Sequence, residues 1–332
     1  MTSALKFLTY AALAVGLGAT VTGCTNAQKT RATEAAYPPV GQFVDVDGTK
    51  VHYVQDGSGP DIVLIHGAGG NLRDYTYDLM GRLTDRYTVT AFDRPGHGYT
   101  GRVPGIETGA FATDGDGPVA QAALLRAAAA KLDITDPVVV GHSFGGIVSL
   151  AWAVAGLDTQ SPQNASAIVS LAGVALPWPD DLDAYYRVNG SALGGGLIIP
   201  VLSALATDGI VASSLEGVFA PNPVPTGYGE HLGAKLILRP DSFRANVRQV
   251  NTLRPKVVEL AKRYPELDLP IEFLHGLADT TVPVHIHARE MIGIVASSRL
   301  TELDGVGHMP QHADPQATVD AIDRAAGRAG LR

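Results

Sequence analysis

Asp61-Ile62-Val63-Leu64-Ile65 is a short, almost wholly apolar run that ends in a glycine-rich turn, His66-Gly67-Ala68-Gly69-Gly70. A run of this length is too short for a buried helix and lacks the alternation of a half-exposed strand. It reads as a strand covered on both faces. The pattern returns at Tyr87–Phe92, Pro137–Val140, Ala167–Leu171, Ile271–Leu274 and Leu300–Leu303. Between these runs, Leu72–Leu83, Pro118–Leu132, Phe144–Val154, Val284–Ile294 and Pro315–Ala329 read as helices. Strands that alternate with helices dictate an α/β class, with a mostly parallel sheet and helices on both faces. Gln42–Val46 and Lys50–Val54 flank Asp47-Gly48, a tight-hairpin signal that adds antiparallel strands at one edge. The alternation fails once, over about residues 175–269, in irregular and mainly helical sequence. An insertion of that length before the last two strands is expected to be a cap rather than a loop.

The chain has 33 acidic and 25 basic side chains, hence a net charge of −8, and no basic cluster, which argues against a nucleic-acid partner. It has one cysteine, so neither an intrachain disulfide framework nor a cysteine zinc site is available. That cysteine, Cys24, ends a characteristic N-terminus: Lys6, an apolar run from Phe7 to Val21, then Thr22-Gly23-Cys24. Fifteen helical residues span about 22 Å, short of a bilayer core of about 30 Å. The stretch is expected to be a secretory signal, residues 1–23. Val21-Thr22-Gly23-Cys24 resembles the bacterial lipobox, which implies lipidation of Cys24, a membrane anchor and an extracytoplasmic address. The plainer alternative is an ordinary signal peptide with a chance cysteine. Residues 24–39, polar and alanine-rich, are expected to form a flexible tether to a folded part at 40–332.

Gly141-His142-Ser143-Phe144-Gly145 fits G-x-S-x-G between an expected strand and an expected helix, the context a nucleophile elbow requires. The sharp turn needs glycine on both sides of the serine and presents its hydroxyl at a helix N-terminus, where N–H groups hold an anion. A serine hydroxyl needs a base. His308 follows the last expected strand, and Asp279 follows the one before it. Loops at the carboxyl ends of parallel strands converge on one edge of the sheet.

Four motifs together resemble the α/β-hydrolase superfamily, capped and esterase-like, over residues 40–330. They are His66-Gly67-Ala68-Gly69-Gly70, Asp93-Arg94-Pro95-Gly96-His97-Gly98, the serine elbow, and the pair Asp279/His308. The resemblance implies the α/β-hydrolase fold, Ser143 as nucleophile, His308 as general acid/base and Asp279 as its orienting partner. It also implies an oxyanion hole from the backbone N–H groups of Ala68 and Phe144, a small-molecule ester as substrate, and no cofactor or obligate protein partner. A serine at the elbow sets the chain apart from relatives that form an alkyl ester on aspartate there. Amides, thioesters, lactones and certain carbon–carbon bonds stay open, as does a non-catalytic lipoprotein that keeps the fold for binding.

Asp304, Asp180 and Asp181 are alternative acids. His97 and His142 read as structural or pocket-lining. His285, His287 and His312 are potential metal ligands, but Pro310 interrupts His308–His312 and no His-Glu-x-x-His occurs, so no metal is expected. In the cap, the apolar stretch Leu193–Leu205 and the rings of Tyr185, Tyr186, Phe219 and Tyr228 suit either an acyl pocket or ordinary packing.

Overall fold

The computed structural model describes residues 3–179 and 181–332, with side chains from residue 20 onward. The start of the expected signal peptide and Asp180 therefore lie outside the described residues. Among the described residues eight strands form one sheet: β1 (Gln42–Val46), β2 (Thr49–Gly57), β3 (Asp61–Ile65), β4 (Thr88–Phe92), β5 (Val138–His142), β6 (Ala167–Leu171), β7 (Ile271–Gly276) and β8 (Ser298–Leu303). Their spatial order is β1-β2-β4-β3-β5-β6-β7-β8. The pairs from β4 to β8 are parallel, and β2 is antiparallel to both β1 and β4. The hairpin turns at Asp47 and Gly48, both at positive φ (51° and 86°), as a two-residue turn demands.

Each parallel strand sends successive side chains into two different cores, which explains why its sequence is apolar throughout. Val63 and Ile65 join Ile147, Leu150 and Trp152 on one face; Ile62 and Leu64 join Tyr75, Leu79 and Ile322 on the other. The first face is covered by the helices Pro118–Lys131 and Phe144–Leu157, the second by Pro315–Arg328. A fully buried aliphatic side chain of this kind contributes about 1.5–3 kcal/mol.

The expected helix at Leu72–Leu83 is instead a single turn, Arg73–Thr76, followed by a 3₁₀ turn, Met80–Arg82. Gly81 weakens a helix interior there, although Leu72, Tyr75, Leu79 and Leu83 all bury as the pattern requires. The helix expected to begin at Val284 begins at Ala288, after two turns anchored on Pro283 and Val284 carbonyls.

The cap lies between β6 and β7, as the broken alternation predicts. Its principal helices are Ile199–Leu205, Asp208–Phe219, Pro240–Asn251 and Leu253–Ala261. The segment expected to be a flexible tether differs: a single helix runs from Ser3 to Ala36. Residues 25–36 contain no glycine or proline and four alanines, so helix propensity is high. Tertiary contacts then fix it to the cap. Asn26 Nδ2 donates to the Pro200 carbonyl (2.9 Å), and Lys29 Nζ to those of Ala204 (2.7 Å) and Ala206 (3.1 Å). Lys29 thereby satisfies carbonyls that the end of the cap helix leaves open. Glu34 pairs with Arg239 (2.9 Å), and Arg73 Nη2 donates to the Pro38 carbonyl (2.6 Å). The segment is a strut.

Candidate active site

Ser143 sits between β5 and the helix Phe144–Leu157 with φ 52° and ψ −116°, a conformation costly for a residue with a Cβ. The turn closes only because its neighbours lack side chains. A Cβ on Gly141 would lie 2.1 Å from the Gly145 carbonyl oxygen, and one on Gly145 would lie 2.0 Å from that of Ile65. The serine is thus held against the end of β3, where the first glycine-rich turn begins.

Two later strands bring the partners. Asp279 follows β7; its Oδ1 accepts from the N–H groups of Thr281 (2.8 Å) and Val282 (3.0 Å), which fixes the carboxylate plane. His308 follows β8. Its Nδ1 lies 2.8 Å from Asp279 Oδ2, and its Nε2 lies 2.9 Å from Ser143 Oγ. With the Nδ1 proton donated to Asp279, Nε2 keeps a lone pair for the serine hydroxyl. Burial works against the charge on Asp279, yet hydrogen bonds from His275 and His308 outweigh it and hold the carboxyl well below the usual range. It therefore stays an acceptor at any working pH. Ser143, Asp279 and His308 are all buried.

The loop that carries Ala68 is pinned from both sides. Arg94 Nη2 donates to the Gly67 carbonyl (3.1 Å), while the Gly69 N–H donates to Asn246 Oδ1 (2.8 Å). His66 and His97 complete this layer: the Arg94 N–H donates to His66 Nε2 (2.9 Å), and His97 Nε2 lies 3.2 Å from Asn246 Oδ1. Burial pushes the His97 imidazole down to about 3 and that of His142 to about 4, so both are neutral. His142 Nε2 donates to the His308 carbonyl (2.8 Å) and ties the serine elbow to the histidine loop. The positioning role of Asn246 has no signal in the sequence, because it reaches the site from a cap helix far along the chain.

The remaining candidates lie apart. Asp304 is exposed, and Asp181 is exposed and faces Arg187 (3.6 Å). His312 Nε2 lies 2.7 Å from Asp74 Oδ1, and His287 Nδ1 accepts from the Leu176 N–H (3.2 Å). Among the described residues no three metal-binding side chains come together. Asp74 also accepts from the Tyr228 hydroxyl (2.6 Å) and from Gln311 (3.2 Å).

A cavity of about 310 Å³ opens onto Ser143 and His308, floored by Gly67–Gly70 and walled by the cap. Tyr185, Tyr186, Phe219 and Tyr228 all line it, with Leu215 and Val218. No residue of Leu193–Leu205 does; its Leu193, Leu197, Val201 and Leu205 face solvent. The arrangement presents a hydroxyl to an imidazole lone pair in a largely apolar pocket, which suits acyl transfer.

The sequence model of the Alpha/beta hydrolase family matches residues 62–321. An uncharacterised protein of Mycobacterium tuberculosis is 29% identical over 303 residues, covering 86% of this chain and 81% of that one. Two solved structures share the fold. A putative aryl esterase from Burkholderia cenocepacia superposes with a TM-score of 0.68 at 22% identity, over 88% of this chain and 99% of its own. The enol-lactonase from Burkholderia xenovorans does so with a TM-score of 0.66 at 16% identity, over 86% and 100%. With the family match covering most of the folded part, the chain belongs to the alpha/beta hydrolase family.

Proposed function

We propose that the chain is a serine hydrolase of carboxylic esters, working through an acyl-serine intermediate. The observation that supports this best is the unbroken hydrogen-bonded relay of Ser143, His308 and Asp279, with distances of 2.9 and 2.8 Å. In this reading His308 Nε2 takes the Ser143 proton as Oγ bonds to the ester carbonyl carbon. The carbonyl oxygen becomes an oxyanion between the N–H groups of Ala68 and Phe144. Losing one such donor costs about 3–4 kcal/mol in a comparable site. Asp279 stabilises the imidazolium, which then protonates the departing alkoxide. Water, deprotonated in turn by His308, attacks the acyl-serine and releases the acid.

Localisation belongs to the same proposal. Cys24 is exposed and unpaired on the N-terminal helix, as a lipid attachment point must be. We infer a lipoprotein held at Cys24 on the outer side of a bacterial membrane.

A fluorophosphonate probe on the full chain tests the chemistry, followed by p-nitrophenyl esters of rising acyl length. Labelling that disappears in Ser143→Ala, with measurable ester turnover, is expected. Absence of both labelling and turnover would leave the binding-protein alternative standing.

A further inference from the structure

The cap helix Ile199–Leu205 and the turns that lead into it are oriented against the usual rule. The side facing the protein is made of Gly194, Gly195, Ile199 and Ser203. The side facing solvent carries Leu193, Leu197, Val201 and Leu205, spaced four apart, and the three leucines are 66%, 58% and 68% exposed. No charged residue occurs from Val188 to Thr207. A soluble helix places its apolar stripe inward, and an apolar outer stripe of this extent marks a surface for association.

Two features of the chain say what covers it. The N-terminal strut docks on this same helix through Asn26 and Lys29, which puts Cys24, the proposed lipid attachment point, two residues from that contact. On the other side, the helix Asp208–Phe219 follows at 105° to the first. Its Leu215, Val218 and Phe219 form a wall of the cavity over Ser143. Each of the two helices is far too short to cross a bilayer: twelve residues span about 18 Å. They can lie only in its surface.

We propose that the Leu193–Leu205 face is a membrane-docking surface whose occupant is the acyl layer of a phospholipid bilayer, and that the cavity takes acyl-ester substrates directly from that layer. The second half rests on the ester hydrolysis proposed above; the first rests on the proposed anchor at Cys24 and not on that chemistry. Amphipathic helices in this setting sink their apolar side about 5–10 Å into the headgroup and acyl boundary. Here that depth would submerge the leucine stripe, and the helix Asp208–Phe219, which walls the cavity, follows it in the chain.

The test uses the full chain bound to phosphatidylcholine vesicles, with and without brominated acyl chains. Leu205→Trp should have its emission quenched at least twofold by the brominated lipid, whereas Val119→Trp, exposed on a helix of the sheet layer, should not. Equal quenching at both positions, or none at Leu205→Trp, would overturn the docking. A second arm compares wild type with the Leu197→Glu/Leu205→Glu double variant, neither residue lining the cavity. Hydrolysis of a vesicle-borne long-chain ester should fall about tenfold, while hydrolysis of water-soluble p-nitrophenyl acetate stays within twofold. Equal loss on both substrates would refute delivery from the bilayer. If Leu205→Trp is not quenched and the double variant converts a dimer to a monomer in gel filtration, the face joins two copies instead. Quenching without turnover of any ester would keep the docking and remove the proposed chemistry.

Discussion

Gly145→Ala places a methyl group 2.0 Å from the Ile65 carbonyl oxygen and 2.8 Å from that of His66. Both are backbone atoms at the end of β3, one turn before Ala68, and no side chain can swing away to make room. To restore even the tightest contact that real Cβ atoms make, the serine elbow and β3 must part by about 1 Å. Overpacking of this kind costs about 1–3 kcal/mol. The same shift moves Ser143 relative to the N–H of Ala68, and a misplacement of 1 Å in a reacting pair costs about 10²-fold in rate. Both quantities are measurable on one preparation, by urea denaturation and by kcat on a p-nitrophenyl ester. Gly293→Ala is the control: it sits inside the helix Ala288–Ile294, and a methyl there meets nothing within 4 Å. It should stabilise by about 0.4–1 kcal/mol and leave turnover unchanged. A Gly145→Ala protein as stable and as active as wild type would refute the claim that close approach to β3 fixes the elbow.

Ser143→Ala should fold normally while ester turnover falls by about 10⁴-fold or more, and Asp279→Asn should be severely impaired because the amide favours the wrong histidine tautomer. Asp304→Asn should remain near wild type; a reversal of the two aspartate results would move the acid role to Asp304. Stability should fall on acidification below about pH 6.5. Burial holds His66, His97, His142 and His287 below their ordinary value, with His97 at about 3 and His142 and His287 at about 4. The unfolded chain, whose imidazoles titrate near 6.5, therefore binds more protons than the native one between those limits. Near pH 5 unfolding should take up protons, and a midpoint unchanged between pH 7 and pH 5 would contradict this. Mass spectrometry of the mature N-terminal peptide should find a lipid-modified Cys24, and Cys24→Ser should abolish the modification; cleavage at another bond would reduce the claim to plain secretion.

The sheet was legible because each parallel strand carries its own signature. Ala167–Leu171 and Asp61–Ile65 match the strand limits residue for residue, and the hairpin turn falls on Asp47-Gly48. Ser143, Asp279 and His308 were legible for a related reason: each follows a strand, and parallel strands bring their carboxyl ends together whatever the intervening sequence. What local pattern does not encode is what one segment does when another lies beside it. Residues 25–36 read as a tether because nothing in their composition announces Pro200, Ala204 and Arg239 as partners. Asn246 was invisible because its use depends on the cap folding back over Gly69. The stripe Leu193–Leu205 reads as pocket lining or packing, since hydropathy tells how apolar a helix is and not which way it faces.

The insertion of the cap between β6 and β7 also divides the chain in two. Everything before it carries Ser143 and the turn that holds Ala68; everything after it carries Asp279 and His308. The two portions meet along the parallel pairing of β6 with β7, from Ile168 opposite Ile271 to Leu171 opposite Leu274, and again where the helix Pro315–Arg328 packs on Ile62 and Leu64. A single cut in an exposed cap loop would thus yield two fragments, neither holding a complete reaction centre, with a largely apolar seam to rejoin them. Co-expressed, they amount to a split reporter whose signal is the hydrolysis itself. Activity recovered from the pair, and absent from either piece, would measure how strongly these joint contacts hold the molecule together.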